Sequence, residues 1–328
     1  MAGCQSGSSA DNTTTFLLSS ASCQASAPTP RSLAIGAGAA ASGAADSIAI
    51  GDFSKATGHR GVAIGTFASA RGKKSTAVGP DAGPNSVDVE GATAIGAGAG
   101  FRGAGIYSTA IGGSKGGDFG DDPRSDTHAF GGFSIAIGGG ESSALPGAVA
   151  NGYRSIAIGQ KSVSADFGTS VGFNTNTAFA STAIGTDAQA IAHSSTALGR
   201  FAKASNTSSL ALGHGAVAST ARSVALGSGS VANVAYTVSV GTPTARRRIV
   251  NVAPATSNSD AATLGQVKQI ATAAAETAML SVNVGSNAEI RQELAELRAT
   301  IRRQQEMLAR QQQELVELKG KTAAALVE

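Results

Sequence analysis

The five residues SIAIG occur at 47–51, 134–138 and 155–159, and close variants run from SLAIG at 32–36 to SVALG at 223–227. None of these residues is an acid, a base, a thiol or a metal ligand, so their recurrence indicates a structural role. If the weaker copies GTSVG and TVSVG are included, the closing glycines lie at positions 36, 51, 65, 79, 96, 112, 138, 159, 172, 185, 199, 213, 227 and 241. Most steps are 13 to 15 residues. A short fixed period predicts a stacked-repeat architecture.

The composition agrees with a lattice of small side chains. The chain has 328 residues, of which 43 are glycine and none is tryptophan, and aromatic residues make up 4%. The net charge of +3 gives no reason to expect nucleic acid as a partner. No apolar run is long enough for a transmembrane helix, and no signal peptide is recognised. Cys4 and Cys23 either form a disulfide or remain thiols, and no CxxC motif supports a zinc or redox site.

Each SIAIG copy alternates between two kinds of side chain. Ile48 and Ile50 project to one face, whereas Ser47 and Ala49 project to the other. This alternation predicts a short strand, and the glycine permits a sharp corner. A weaker half-repeat follows, such as ATGHR at 56–60, so a coil near 14 residues holds two short strands and two turns. We expect parallel coils with the branched residues inside and the Ser/Ala face outside, stable only when a second copy covers that face.

The C-terminal part of the chain carries a heptad pattern. From residue 287 onward, apolar and glutamine positions alternate at spacings of three and four, which predicts a parallel coiled coil. Glu293 with Arg298, and Glu314 with Lys319, have the spacing of interchain pairs. An amphipathic helix packed on a globular domain is the alternative, and the pattern leaves two or three strands open. The predicted core is Ile290, Leu294, Leu297, Ile301, Gln304, Leu308, Gln311, Leu315 and Leu318, whose glutamines are expected to form polar layers around water or an anion.

The join between the two patterns reads RRRIVNVAPATSNSDAATLGQVK at 246–268. Ser257 and Asp260 form an S-x-x-D capping box, which predicts a helix beginning near Ala261. Together with the repeats, this segment resembles the neck of the trimeric autotransporter adhesins. The chain departs from that neck at Ala255, where glycine is usual, and at Ala262–Thr263, where Val-Asn is usual. The matching residues are Arg248, Ile249, Asn251, Val252, Ala253, Asp260, Ala261, Gln266 and Val267.

The resemblance implies a mostly β protein, in which a homotrimeric head of left-handed parallel β-rolls precedes a parallel trimeric α-helical coiled coil. The expected domains are a poorly ordered leader (1–30), the β-roll head (31–241), a neck (242–263) and a coiled-coil stalk segment (264–328). The family also has a β-barrel anchor in the bacterial outer membrane. No anchor is recognised in this chain, which we therefore expect to be an extracellular-facing passenger segment.

Two enlarged steps in the repeat mark candidate binding loops. The steps from Gly112 to Gly138 and from Gly138 to Gly159 span 26 and 21 residues, and loops on a rigid scaffold often bind ligands. The aromatic residues there either contact a ligand or fold back as packing. The acidic residues, with Asp126, are either solvated or a calcium site, although their spacing is not that of an EF-hand. The candidate ligand-binding residues are Asp118, Phe119, Asp121, Asp122, His128, Phe130, Phe133 and Tyr153.

Other charged and glycine-rich motifs give weaker indications. Arg246, Arg247 and Arg248 either bind heparin or nucleic acid or, as we favour, pair between chains with Asp260 as a neck lock. The motifs GAGFRG at 98–103 and DFG at 118–120 and 166–168 lack the context of nucleotide or kinase loops, which indicates turns. The isolated histidines are expected in exposed turns, without a metal. These histidines are His59, His128, His193 and His214.

The sequence therefore predicts a non-enzymatic surface adhesin with no cofactor and no metal. By resemblance, its partners are itself, as a homotrimer, and a host extracellular matrix protein such as collagen or a cell-surface receptor. The outer membrane is contacted only through an anchor outside this chain. The alternative function is a structural fibre or spacer, as in a phage tail fibre. A glycan-cleaving enzyme is disfavoured because the repeat has no regularly placed acid.

Overall fold

A computed structural model describes residues 5–7, 16–19, 25–43, 45–83, 89–100, 104–113 and 126–324. Two compact units are present, Met1–Arg247 and Arg248–Glu328. The described strands of the first unit are β1 (Gln5–Gly7), β2 (Phe16–Ser19), β3 (Leu33–Ile35), β4 (Ile48–Ile50), β5 (Lys55–Ala56), β6 (Val62–Ile64), β7 (Ser69–Ala70), β8 (Thr76–Val78), β9 (Thr93–Ile95), β10 (Thr109–Ile111), β11 (His128–Ala129), β12 (Ile135–Ile137), β13 (Val149–Ala150), β14 (Ile156–Ile158), β15 (Val163–Ser164), β16 (Thr169–Val171), β17 (Asn176–Thr177), β18 (Thr182–Ile184), β19 (Gln189–Ala190), β20 (Thr196–Leu198), β21 (Lys203–Ala204), β22 (Leu210–Leu212), β23 (Val217–Ala218), β24 (Val224–Leu226), β25 (Val231–Ala232) and β26 (Val238–Ser239). The second unit contains one helix, α1 (Leu264–Ala324).

The first unit, called the head below, is a parallel β-solenoid of about 13 turns. The SIAIG strands stack into a 16-stranded sheet, and the two-residue strands form a second sheet of eight strands and a pair, β5–β7. From β2 onward, pairing is parallel and in register, so that Ala49 faces Ala63 and Ala183 faces Ala197. The predicted parallel roll, with two strands and two turns in each coil, is confirmed.

The predicted placement of the two strand faces is wrong. The central residue of each SIAIG strand points into the coil, and Ala49 and Ala197 are fully buried there beside serines such as Ser47. The branched residues point outward, and Leu198 is 40% exposed. Inner side chains of the short strands, such as Ala204, pack in the same buried cluster as those of the long strands, so the coil is narrow. The buried hydrophobic clusters of the described residues accordingly consist of alanine.

The closing glycine of each repeat is required by the stacking of the coils. Gly199 has φ +129°, and a Cβ atom built on it would lie 2.6 Å from the carbonyl carbon of Gly213 in the next coil. Residues with a side chain rarely adopt this backbone conformation, and the backbone of the next coil leaves no space for a Cβ atom. Glycine therefore recurs because adjacent coils approach through bare backbone at this corner.

Each coil has two turns, which we name by position. The first turn follows the long strand, as at 51–54, and the second turn follows the short strand, as at 57–61. Each carries two tip residues, and the second tip residue adopts a left-handed conformation, as in Phe53 (φ 55°) and Arg60 (φ 58°). The tip side chains point away from the alanine interior, so the sequence can vary there without disturbing the coil.

The leader predicted for 1–30 contains regular structure in its described part. Strand β2 pairs in parallel with β3 and so adds to the 16-stranded sheet, while β1 pairs with β2 in the antiparallel sense. Ala25 is buried against the alanine cluster of the first coils. These contacts extend the solenoid sheet beyond the first recognisable repeat, which the Ser/Ala-rich sequence did not indicate.

In the second unit, helix α1 begins three residues later than predicted. Ser257 and Asp260 close a tight turn, in which the Asp260 carboxylate accepts from the Ser257 N–H at 2.9 Å. The helix cap is instead Thr263 with Gln266: the Gln266 N–H donates to Thr263 Oγ1 at 3.3 Å, and the Thr263 N–H donates to Gln266 Oε1 at 3.1 Å. This reciprocal pair is a capping box, so the correct motif lay six residues further along the chain.

Candidate binding surfaces

The outward face of the 16-stranded sheet carries an apolar stripe. Isoleucine, valine and leucine stack at equivalent positions from coil to coil, as Ile184 does on Leu198. Ile64, Ile95 and Leu226 are 37–42% exposed. In-register stacking therefore gives the head an apolar stripe along its length, which water covers unless another surface packs there.

A second surface runs along the tips of the second turns. Six aromatic rings from six coils touch in sequence, with centroid separations of 5.4, 5.7, 5.8, 5.6 and 5.0 Å. The five phenylalanine and tyrosine rings are 39–47% exposed, and the final histidine is exposed as well. We call this set the aromatic ladder; its members are Tyr107, Phe133, Tyr153, Phe167, Phe179 and His193.

The position of each ring in its turn determines its orientation. Rings at the same tip position stack: Tyr107 and Phe133 are both second tip residues, and their interplanar angle is 23°. Rings at different tip positions meet edge to face, as Phe133 and Tyr153 do at 81°. Phe179 and His193 are both first tip residues and lie at 14°. The coil thus sets ring spacing, and the choice of tip position sets ring orientation.

The same edge is ionic in the first coils. Asp46 accepts a hydrogen bond from Arg31 at 2.5 Å and lies 3.6 Å from Arg60. The hydrogen bond from Arg31 holds the pKa of the Asp46 carboxyl below its ordinary value. Lys74 lies 3.2 Å from Glu90 and, with Tyr107, lowers the pKa of that carboxyl. These side chains are exposed or half-exposed, so their contribution to stability is small.

The structure separates the residues of the predicted ligand-binding loop. Asp118, Phe119, Asp121 and Asp122 lie outside the described residues. Phe133 and Tyr153 are brought together as neighbours in the aromatic ladder. His128 and Phe130 form another stacked pair at 4.8 Å, beside strand β11. The loop candidates therefore contribute to two surfaces. The larger of these, the aromatic ladder, extends beyond the enlarged steps of the repeat.

His128 is not the exposed turn residue that was predicted. It lies in β11 at 3% exposure, and its Nδ1 is 3.0 Å from the carbonyl oxygen of Asp126. Asp126 and Thr127 are also buried, and Thr127 donates to the carbonyl of Gly138. Here larger polar residues replace the small interior residues of the regular coils. His193 and His214 do lie in exposed turns, and His59 lies in a turn at intermediate exposure.

Arg247, predicted to pair between chains, bonds within its own chain. Its guanidinium donates to Ser230 Oγ at 2.8 Å, to the Val240 carbonyl at 2.7 Å and to the Ser228 carbonyl at 2.5 Å. It lies over Gly227, where a further coil would otherwise stack. Arg247 therefore caps the last coil of the head. An interchain role for the neck-lock residues remains a prediction; they are Arg246, Arg247, Arg248 and Asp260.

Asp260 and Gln266 organise the start of the second unit. The Asp260 carboxylate accepts from the N–H groups of Thr256 and Ser257 at 3.0 and 2.9 Å, which lowers its pKa. The Gln266 amide bonds both backbone groups of Ala255, at 2.8 and 3.0 Å. The first turn of α1 thus holds both the N–H group and the carbonyl oxygen of Ala255.

The predicted coiled-coil core is exposed in the single chain. Ile290, Leu294, Leu297 and Ile301 are half-exposed, as are Leu308 and Leu315, and Gln304 and Gln311 are exposed. The side chain of Leu318 lies outside the described residues. The helix therefore presents its heptad seam to solvent along its described length.

No other class of site emerges from the described residues. Within them, no group of three or more His, Cys, Asp or Glu side chains could hold a metal ion. No helix in the described part of the chain has the length and apolar character to cross a membrane. Cys4 and Cys23 lie outside the described residues.

Comparison with known proteins gives matches in the head. A family model described as the YadA head domain repeat (2 copies) matches residues 30–54, 56–82, 146–162, 177–202 and 204–242. The crystal structure of the collagen-binding domain of the Yersinia adhesin YadA is 22% identical, covers 76% of this chain and 88% of its own, and gives a TM-score of 0.22. No curated protein matches the chain. The head therefore carries repeats of the YadA head family, which support a YadA-like trimeric autotransporter adhesin.

Proposed function

We propose that this chain is the passenger of a bacterial surface adhesin, which attaches the cell to host extracellular matrix or to a host cell-surface receptor. The observation that carries the proposal is the match of the YadA head repeat model at five stretches of the solenoid. The head is the part held farthest from the cell in such an assembly, and its turn tips can vary in sequence without disturbing the alanine interior. The function is binding, with no chemical step.

We propose that the adhesin works as a parallel homotrimer on the bacterial surface. Two exposed apolar surfaces support self-association: the Ile/Val/Leu stripe of the head and the heptad seam of α1. Burying branched side chains that are now half-exposed contributes about 25 cal/mol per Å² of apolar surface. The number three comes from the family. Leu198 and Ile301, which represent the two surfaces, would each become buried between copies.

Trimerisation would also determine how the adhesin binds. Each ligand-binding surface would be present three times on a stiff scaffold. Simultaneous engagement can raise the apparent affinity by a factor of about 10²–10⁴ over a single site. Weak individual contacts would therefore suffice for attachment to a matrix that repeats its own binding motif.

Mass measurement and binding on immobilised ligands test the two parts of this proposal. Light scattering of the purified chain at micromolar concentration should give three times the 32.1 kDa chain mass; a monomer or dimer would overturn the trimer. Collagen I, fibronectin and laminin are immobilised for the second test, with Ile301→Asp as a variant of reduced valency. Stronger retention of the unmodified chain supports multivalent adhesion. Binding to none of these proteins or to host cells would leave only the role of a structural spacer.

A further inference from the structure

The aromatic ladder has no function in folding that smaller residues could not provide. In the coil after His193, the two tip positions of the second turn are occupied by Thr207 and Ser208, with the same left-handed second tip and the same strand register. The alanine interior does not involve these tips, and the ladder rings remain 39–47% exposed. Aromatic residues are only 4% of the chain. Five of them, followed by His193, in unbroken contact at an exposed edge indicate a binding surface.

The packing of the rings limits what kind of ligand can occupy the ladder. Successive centroids are 5.0–5.8 Å apart, so adjacent rings are in contact. No side chain of a partner can insert between them, as a proline does in aromatic-lined peptide grooves. A ligand must instead lie along the ladder and contact it through a repeating, weakly apolar face. An extended chain of pyranose rings has this property, because each sugar presents a face of C–H groups that can pack against the exposed faces and edges of aromatic rings.

Polar groups beside the rings fit the hydroxyl groups of such a chain. The Arg154 guanidinium lies 5.1 Å from the centre of the Tyr153 ring, and the Ser194 hydroxyl lies 2.8 Å from His193 Nδ1. Asp166, between Tyr153 and Phe167 in the chain, bonds the Tyr153 N–H at 2.7 Å. The tips along the ladder therefore combine stacking rings with both donors and acceptors. Charges of both signs are present, which favours a neutral ligand over a polyanion.

We propose that the aromatic ladder binds an extended, neutral, β-linked glycan chain that runs along the solenoid axis. The inference rests on the proposed adhesive function and specifies one ligand class for the head. Successive ring centroids lie 5.0–5.8 Å apart, a distance close to the length of one sugar unit in an extended β-linked chain. One ring would therefore contact about one sugar unit. The affinity for soluble oligosaccharides is then expected to increase with their length until the ladder is filled.

Tyrosine emission provides a direct measurement of occupancy in the full chain. The chain has three tyrosines and no tryptophan, and two of the tyrosines, Tyr107 and Tyr153, are in the ladder. In the Tyr236→Phe background, all tyrosine emission comes from the ladder. The probes are cellobiose, cellotetraose and cellohexaose, the corresponding chito-oligosaccharides, and maltohexaose, whose α-linkages curve the chain. We expect saturable changes for the β-linked probes, with affinity rising with length, and little response to maltohexaose.

A matched pair of variants tests whether the ladder is the site. Phe167→Asn removes a central ring, and Asn tolerates the left-handed conformation at that position (φ 56°). Phe201→Asn makes the same change at a first turn, with φ 58° and nearly equal exposure (45% against 47%). We expect Phe167→Asn to weaken cellohexaose or chitohexaose binding about two- to tenfold, the range for one aromatic contact. Phe201→Asn should leave it unchanged.

The alternative results separate this inference from the adhesive function. Retained binding to matrix proteins without any response to the β-linked probes would overturn the glycan assignment and leave adhesion intact. A proline-rich peptide that binds the ladder in place of the sugars would overturn it as well. If Phe167→Asn lowers the oligomer mass while Phe201→Asn does not, the ladder is a contact between copies and the inference fails. Loss of oligosaccharide binding in Phe167→Asn alone, at unchanged mass, supports it.

Discussion

The head and helix α1 bury apolar side chains by different means. In the head, alanine and serine fill a narrow interior within one chain, and adjacent coils are joined by backbone hydrogen bonds such as Gly213 N–H to the Leu198 carbonyl at 2.8 Å. In α1, the described side chains are exposed except for Gln266 at its start. The coil is therefore self-contained in its core, whereas the described apolar side chains of the helix are left exposed. Both nevertheless leave branched residues uncovered, which is where self-association would act.

The largest effect is expected where the head has no tolerance, at the stacked glycines. Gly199→Ala places a Cβ atom within 2.6 Å of the next backbone at φ +129°, so we expect destabilisation of about 4 kcal/mol. Gly215→Ala is the matched control, since Gly215 has φ +62° and nothing within 4 Å of an added Cβ, and should cost about 1 kcal/mol. Thermal unfolding followed by circular dichroism measures both. Equal losses would mean that backbone stacking does not limit the coil.

The next effect distinguishes the inner from the outer face of one strand. Ala197 is fully buried, and its neighbour Leu198 is 40% exposed. Ala197→Leu should destabilise the head by about 3 kcal/mol, because the interior cannot accept a larger side chain. Leu198→Ala should barely affect the folding of the single chain and should instead weaken self-association. Chemical denaturation and light scattering on the same samples would check both. The reverse pattern would indicate that the branched residues lie in the interior.

These two strand faces also indicate how far the sequence can predict the fold. The 14-residue period predicted parallel coils, their turns and the glycine corners, because each follows from local geometry. Alternation along a strand distinguishes two faces but does not say which one is inside. The signal lay in the central position, which is Ala49, Ala63 or Ala197, or occasionally Ser170, and never larger. A position that accepts only small residues in every repeat is limited by space, whereas Thr, Val, Ile and Leu exchange freely beside it.

The aromatic ladder was only partly predictable. The enlarged steps in the repeat indicate Phe133 and Tyr153, whereas Phe167 and Phe179 lie in regular coils that carry no such signal. Their separation of about one repeat would have aligned them once the turns were in register. Ring orientation needs the tip position, which depends on where each short strand ends. The neck showed a similar limit: two capping-box patterns lie close together, and only the structure distinguishes the tight turn at Ser257 from the helix start at Thr263.

A smaller effect is expected in helix α1, where burial between copies can be tested directly. Ile301→Asp places a charge in the predicted seam, and Arg302→Asp places the same charge one residue away. If α1 is buried between copies, Ile301→Asp should cost about 2 kcal/mol per chain and lower the oligomer mass, because a fully buried isoleucine contributes about 1.5–3 kcal/mol. Arg302→Asp should change little. Helical signal against temperature, alongside light scattering, provides the measurement. Equal responses would indicate that α1 remains solvated.

The smallest effect concerns the turn before α1 and depends on pH. Hydrogen bonds from the N–H groups of Thr256 and Ser257 lower the pKa of the Asp260 carboxyl from its ordinary value of 3.8. A group whose pKa is lower in the folded state stabilises it above the unfolded pKa, and that contribution is lost as pH falls through the folded pKa. The amide resonances of residues 256 and 257 should therefore shift together as the pH falls below about 3.8. In Asp260→Asn the same resonances should show no such titration. Thr263→Ala should fray the start of α1 equally at all pH values, because its cap involves no ionisable group. A titration that persists in Asp260→Asn would assign the pH response to another carboxylate and leave the turn held by its backbone alone.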